Sequence, residues 1–342
     1  MMKDKVIITR ENGEQVEAQA PVIVSASRST DIPGFYCDWF LHRLKVGYSA
    51  WTNPFNGVKS YVAYQNTRVI VFWSKNPKHL LDEDGLLDYL AEKGINCYIQ
   101  FTLNDYFKEK LERGVPSVEE RIVTFKALVD KLGYGRVIWR FDPLILTDSI
   151  GVEELLRKVQ NIGNQLKGYT EKLVFSFADI ASYRKVKANM EYNGIKYREF
   201  QESDMIQFAS GLQTLNRGWG YTLATCGEKI NLEEYEIAHN KCVDDDLMIK
   251  YFHDDVRLME HLGVELEESD LFGGERKIVK KKNNKDKGQR LFCGCIASKD
   301  IGEYNTCAHL CEYCYANNSK ETALRNLHAH RNNPFAETIT GK

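Results

Sequence analysis

"VIVFWSKNPKHLLDEDGLLDYLAEKGINCYIQFT", residues 69–102, carries one full unit of the architecture. A β-branched and aromatic run at 69–74 (VIVFWS) stops at a polar Lys-Asn-Pro turn, a segment of helical periodicity fills 80–92, and a second run, 97–102 (CYIQFT), closes the unit. Strand, helix, strand predicts a parallel pair joined by a crossover helix. The rhythm repeats on both sides. Further runs stand at 22–27 (VIVSAS), 48–53 (YSAWTN), 137–141 (VIWRF), 173–177 (LVFSF) and 221–226 (YTLATC), with helical periodicity at 38–45, 118–131, 152–166 and 204–216. Seven strand candidates in this alternation predict an α/β fold: a β/α (TIM-like) barrel, complete or nearly so, for which no convincing eighth strand is found.

In such a barrel the C-terminal strand ends build the active site, so the polar residues at those ends are the candidates for one shared mouth. They are Ser27, Arg28 and Asp31; Asn53; Trp73, Lys75 and Asn76; Gln100, Thr102 and Asn104; Arg140 and Asp142; Ser176 and Asp179; Cys226 and Glu228. The bland reading stands beside this one, because Asn-Pro and Asp-Pro also start ordinary turns and Asp31 can cap a helix.

The chain of 342 residues is 43% hydrophobic and 27% charged, enough for a large core in one domain or two. Its net charge of −2 argues against polyanion binding by bulk electrostatics. The start lacks an apolar h-region and no stretch approaches the ~18 apolar residues of a membrane span, so the expected compartment is the cytoplasm, without membrane association. There, clustered thiols serve as metal ligands rather than as disulfides.

"YNTCAHLCEYCYAN", 304–317, crowds Cys307, Cys311 and Cys314 beside Tyr313 and Tyr315 at the spacing C-x3-C-x2-C. Three thiolates are one short of four-coordinate zinc, which would have to add His309 or another cysteine. Three thiolates on a 4Fe-4S cluster leave one iron open. The spacing, with an aromatic residue directly before the last cysteine, resembles the signature of the radical S-adenosylmethionine enzymes, and C-x-H-x-C-x-Y-C-Y-A is most similar to the spore photoproduct lyase branch. The resemblance implies a 4Fe-4S cluster whose open iron chelates S-adenosyl-L-methionine and whose electron, drawn from a donor such as flavodoxin or ferredoxin, cleaves it to a 5′-deoxyadenosyl radical acting on a small-molecule or otherwise unknown substrate. One departure is plain. That superfamily carries its triplet after the first barrel strand, whereas Cys307 lies beyond every strand candidate, so the tail would have to fold back over the mouth. "GGE", 273–275, looks like the superfamily's amine-binding motif and reads equally as a loop.

"SASRSTDIPGFY", "NPFN", "VFWSKNP", "FTLND", "VIWRFDPLILT", "SFAD" and "QRLFCGCIASKDIGEYNTCAHLCEYCYAN" together resemble the bacterial family called domain of unknown function 1848, across nearly the whole chain. That resemblance implies a barrel-like body and a C-terminal cysteine cluster that binds metal.

Four more cysteines remain: Cys226 at a strand end, Cys242 opening "CVDDD", and Cys293 and Cys295 in "FCGC". Four thiolates suit a second 4Fe-4S cluster or an all-cysteine zinc site, and equally buried, idle cysteine. Cys37 and Cys97 fit the idle reading. The basic run "ERKIVKKKNNKDKGQR", 275–290, has no interleaved aromatics, so a solvated linker is favoured over a nucleic-acid contact.

The expected organisation is an N-terminal extension (1–20), a β/α barrel (21–270), a basic linker (271–290) and a cysteine-rich iron-sulfur segment (291–342). Expected metal ligands are Cys307, Cys311 and Cys314, then Cys226, Cys242, Cys293 and Cys295. Arg28, Asp31, Lys75, Asn76, Asn104, Arg140 and Asp142 are the candidates for acting on substrate, and Ser27, Asn53, Trp73, Gln100, Ser176, Asp179 and Glu228 for holding cofactor. The alternatives are a barrel that binds a ligand and carries a non-catalytic structural or redox metal cluster, zinc or iron-sulfur, and a barrel hydrolase with incidental zinc.

Overall fold

The computed structural model describes residues 5–53, 56–267 and 277–341. Its centre is a sheet of eight strands: β1 (Ile23–Ala26), β2 (Val69–Ser74), β3 (Asn96–Thr102), β4 (Val137–Leu144), β5 (Lys172–Phe177), β6 (Thr222–Thr225), β7 (Ile237–His239) and β8 (Lys299–Asp300). The strand order is β7-β6-β5-β4-β3-β2-β1-β8, and every adjacent pair is parallel. From β1 to β7 consecutive strands are thus neighbours, while β8 returns to the far side of β1.

Two expectations need correction. No closed barrel forms: among the described residues β7 and β8 do not pair, and the sheet stays open at that seam. Both margins are short, three residues in β7 and two in β8, and each pairs only with its inner neighbour. They also explain why no eighth strand could be read from the sequence. Second, the run 48–53 is no member of this sheet. Tyr48–Thr52 pairs antiparallel with Lys59–Ala63 in a four-stranded side sheet with Lys5–Thr9 and Gln15–Gln19. The connection between those two strands is shorter than a parallel crossover requires, so a hairpin is the only pairing open to it.

The helices follow local signals. Val118–Leu132 starts at Ser117 with a reciprocal capping box to Glu120. Val152–Leu166 buries Val152, Leu155, Val159, Ile162 and Leu166, one stripe at helical spacing. The segment expected to be helical over 80–92 divides into a 3-10 turn, Pro77–Leu81, and a helix, Leu86–Glu92. The break falls at Asp84, which adopts φ 51°, before Gly85.

Side chains alternate across the sheet. Val24, Ile70, Phe72, Ile99, Phe101, Trp139, Phe141, Leu173 and Phe175 face the crossover helices in the larger core. The opposite face is apolar only near the strands' N-terminal ends, where Ile23, Val69, Val71, Tyr98, Ile138 and Val174 pack under the helices Asp245–Phe252 and Val256–Leu262. Toward the C-terminal ends that same face becomes polar, with Ser25, Gln100, Arg140 and Ser176. The fold is therefore plugged at one end and chemically equipped at the other. Beyond β8, Ala308, Leu327 and Ile339 join the larger core, so the cysteine-rich tail is docked onto the body. Among the described residues no helix is long and apolar enough to cross a membrane.

Candidate metal centres

The tail returns to the sheet's C-terminal rim. Cys311 forms a β-bridge with Glu112, in the loop after β3, and Glu312 N–H donates to Leu111 O at 2.9 Å. Gly114 N–H donates to His309 O at 2.9 Å. A Cβ on Gly114 would meet Ala308 O at 2.6 Å and His309 O at 2.8 Å, so only glycine permits this approach. Buried Glu312 pins the turn through Arg113 (2.9 Å), Lys320 (2.6 Å) and Asn193 (2.9 Å). Inside the turn, Leu310 is held at φ 55°, a left-handed conformation that costs energy in a branched residue and persists only because its surroundings enforce it.

Cys311 is buried, and Cys307 and Cys314 are half-buried. Burial pushes all three thiols up, so in the metal-free chain they hold their protons. His309 is not at their disposal: its Nε2 lies 2.6 Å from Asp31 Oδ2 and its Nδ1 3.2 Å from Gly114 O. Asp31 also accepts from Lys75 N–H and from Gly34 N–H, each at 2.8 Å, which ties the loop after β1 to the end of β2. Against burial, the pairing with His309 holds Asp31 below the usual carboxylate range.

Lys75 is the cation facing the triplet. Its Nζ lies 2.7 Å from Glu112 Oε1 and 2.9 Å from Tyr313 Oη. Tyr313 Oη donates to the same Glu112 oxygen, and Asn104 Nδ2 reaches both, at 3.1 and 3.2 Å. Burial alone would raise the Glu112 carboxyl, but the charges of Lys75 and Arg121 draw it down to about 2. Asn104 passes the network on: its Oδ1 accepts from Asp142 N–H at 2.9 Å, and Asp142 binds Arg140 and Ser176.

Arg140, 2% exposed, leads to the other cysteines. Its Nη1 donates to Gln100 Oε1 at 3.1 Å and to Cys242 Sγ at 3.0 Å. Cys226 Sγ lies 3.5 Å from Cys242 Sγ. The N–H groups of Cys242 and Val243 point at Cys295 Sγ, at 3.2 and 3.4 Å, and Asn240 Nδ2 donates to Cys242 Sγ at 3.1 Å. Cys293 interacts with Cys295, and that hydrogen bond lowers its thiol to about 7. Arg28 and Arg140 flank the indole of Trp73, 5.2 and 5.3 Å from its centroid.

Other candidates take plainer roles. Ser27 Oγ donates to Asp300 Oδ1 at 2.7 Å. Asp179 accepts from Ser182 in an exposed turn, and the Asn76 N–H donates to Ser74 Oγ at 2.9 Å as a 3-10 turn begins. Asn53 follows the side-sheet strand. Glu228 accepts from Phe177 N–H at 3.0 Å and is pushed up to about 7 by burial. "GGE" lies outside the described residues. Sequence reasoning missed Glu112, Glu312 and Asp300. Asp300 organises the loop after β1 through Ser25, Ser27 and the Arg28 N–H, and Asp300 and Glu312 stand inside motifs read only for their cysteines.

Among the described residues no three cysteine sulfurs lie within 4.8 Å of one another; only the carboxylates of Asp244, Asp245 and Asp246 do, and Lys241, Lys280 and Lys172 pair with them. Comparison with curated proteins and with solved structures gives no match. Residues 23–316, which contain the whole parallel sheet and the cysteine triplet, match the family described as Domain of unknown function (DUF1848), and the chain belongs to that family.

Proposed function

We propose that Cys307, Cys311 and Cys314 hold a 4Fe-4S cluster and that the protein is a radical S-adenosylmethionine enzyme built on a β/α barrel opened at one seam. The observation that carries this reading is the donor set. Buried Cys311 and half-buried Cys307 and Cys314 share one enforced turn, and His309, one of the residues a zinc site could recruit as fourth ligand, is engaged at both ring nitrogens. When bound, such a cluster, reduced by an external donor of the flavodoxin or ferredoxin kind, supplies the electron that cleaves S-adenosylmethionine to a 5′-deoxyadenosyl radical.

The chain's own residues then have defined tasks. Lys75 sets a positive charge beside the thiolates and is fixed by Glu112 and Tyr313. Gly114 and Glu312 hold the cysteine turn against the loop after β3. Asn104, Asp142, Arg140 and Ser176 form a continuous polar wall from the triplet across the rim, against which a polar substrate is oriented. Ordering this wall before substrate arrives is what a radical reaction asks of its protein, which orients the reacting carbon and excludes water.

Anaerobically purified protein, reduced with dithionite and given S-adenosylmethionine, will release 5′-deoxyadenosine and methionine slowly even without substrate. Cys311→Ala abolishes both the triplet's cluster and the release. Release that persists in that variant, or a fully loaded wild-type protein that gives none, overturns the reading.

A further inference from the structure

The open seam of the sheet is bordered by cysteines on both margins. Cys226 follows β6 and Cys242 follows β7, while Cys293 and Cys295 precede β8 across the gap. Strand pairing does not bridge the seam among the described residues, yet the chain after β7 and the chain before β8 touch there: Gly294 N–H donates to Asn240 O at 3.2 Å and Ile296 N–H to Val243 O at 3.0 Å. A Cβ on Gly294 would meet Lys241 Cγ at 2.7 Å, so glycine at the centre of "FCGC" is what lets the margins approach.

We propose that Cys226, Cys242, Cys293 and Cys295 bind a second metal centre, an all-thiolate site that staples the seam between β7 and β8. The sulfurs run in sequence around the gap, from Cys226 to Cys242 at 3.5 Å, then to Cys295, onto which the Cys242 N–H points, then to Cys293. Hydrogen-bond donors converge on two of the sulfurs. Arg140 Nη1 and Asn240 Nδ2 donate to Cys242 Sγ, and two backbone N–H groups donate to Cys295 Sγ. Four thiolates around a divalent ion, or around a cubane, leave net negative charge, and buried Arg140, which also binds Asp142, brings positive charge to Cys242. On binding, the four thiols release their protons to solvent. With four protein ligands this centre has no open position, which separates it in kind from the triplet. The soft-metal chemistry is shared by zinc and iron-sulfur, and elemental analysis tells them apart.

The test uses the full chain with Cys307, Cys311 and Cys314 all changed to Ala, purified anaerobically. This protein is expected to retain either iron with equimolar acid-labile sulfide or one zinc ion per chain; both outcomes uphold the site. Adding Cys242→Ser removes the retained metal, while adding Cys37→Ser instead does not. If the Cys242→Ser chain does not fold, the triplet-free protein is treated with a chelator, which lowers its melting temperature as the staple is withdrawn. A folded triplet-free protein without metal, retention of metal by folded Cys242→Ser, or a melting temperature indifferent to removal of bound metal overturns the proposal. None of these readouts involves S-adenosylmethionine, so the proposed activity and this site fail separately.

Discussion

Lys75 shows how one side chain can serve stability and chemistry together. Its ammonium is the nearest cation to buried Glu112 and faces the three triplet thiols. Replacing it with Met leaves that carboxylate buried with Arg121, 3.9 Å away, as its nearest cation. Removing one partner of a buried pair costs about 3–5 kcal/mol, read as a lowered urea midpoint. Adding Glu112→Gln restores much of that loss, because an amide in the same place needs no counter-charge. Removing a positive charge next to thiolates also disfavours adding an electron, so a cluster in the Lys75→Met protein is harder to reduce in a redox titration. Lys75 was legible as a strand-end residue. Glu112 was not, because it sits in a loop without periodicity and acquires its meaning only when the tail lays Cys311 and Tyr313 upon it.

Among the elements, those readable from sequence were those whose residues decide their own fate. The β-branched and aromatic runs of β1 to β6 are long enough to declare themselves, and the helix Val152–Leu166 carries its apolar stripe openly. β7 and β8 are too short and too polar to be seen, and Tyr48–Thr52 looks like its parallel neighbours until the short connection turns it back into a hairpin. The C-terminal strap was equally hidden, since its partners are distant in sequence. Ala336 O and Phe335 O accept from Trp39 Nε1 and Arg43 Nη2, each at 2.9 Å, and Glu337 binds Arg10 at 2.8 and 2.9 Å and Tyr48 Oη at 2.8 Å. Burial pushes the Glu337 carboxyl up, but hydrogen bonds from Arg10 and Tyr48 hold it below its ordinary value. A depressed folded value means that the contribution is complete above the ordinary carboxylate range and vanishes as pH falls through the folded value. Glu337→Gln is therefore expected to cost about 1 kcal/mol near neutrality, discounted for partial exposure, and almost nothing in acid. Urea midpoints of both proteins at neutral and strongly acidic pH check this; a gap that widens in acid contradicts the assignment.

At the scale of the molecule, the two ends of the sheet divide their labour. Every cysteine assigned to metal lies at the C-terminal rim or the open seam, whereas the opposite end is sealed by Val256–Leu262, whose first turn is held by Asp255. That carboxylate caps the helix through Leu258 N–H at 3.1 Å, accepts from Asn96 Nδ2 at 2.9 Å and pairs with Arg68 at 2.8 Å, tying the plug to β2 and β3 at their N-terminal ends. Asp255→Ala loses cap, amide and ion pair at once, and a cost of about 3 kcal/mol follows from a lost cap and hydrogen bonds to a charged group. Asp255→Asn keeps an oxygen for the cap and costs less. Because open α/β sheets carry their sites outside the carboxyl ends of the strands, away from this plug, the metal content per folded chain should not change in either variant. Measured below its lowered melting temperature, the Ala variant should hold as much iron, sulfide or zinc as wild type. Metal lost in step with stability at that temperature would mean that the seam cysteines depend on the plug, and that the two ends act as one unit.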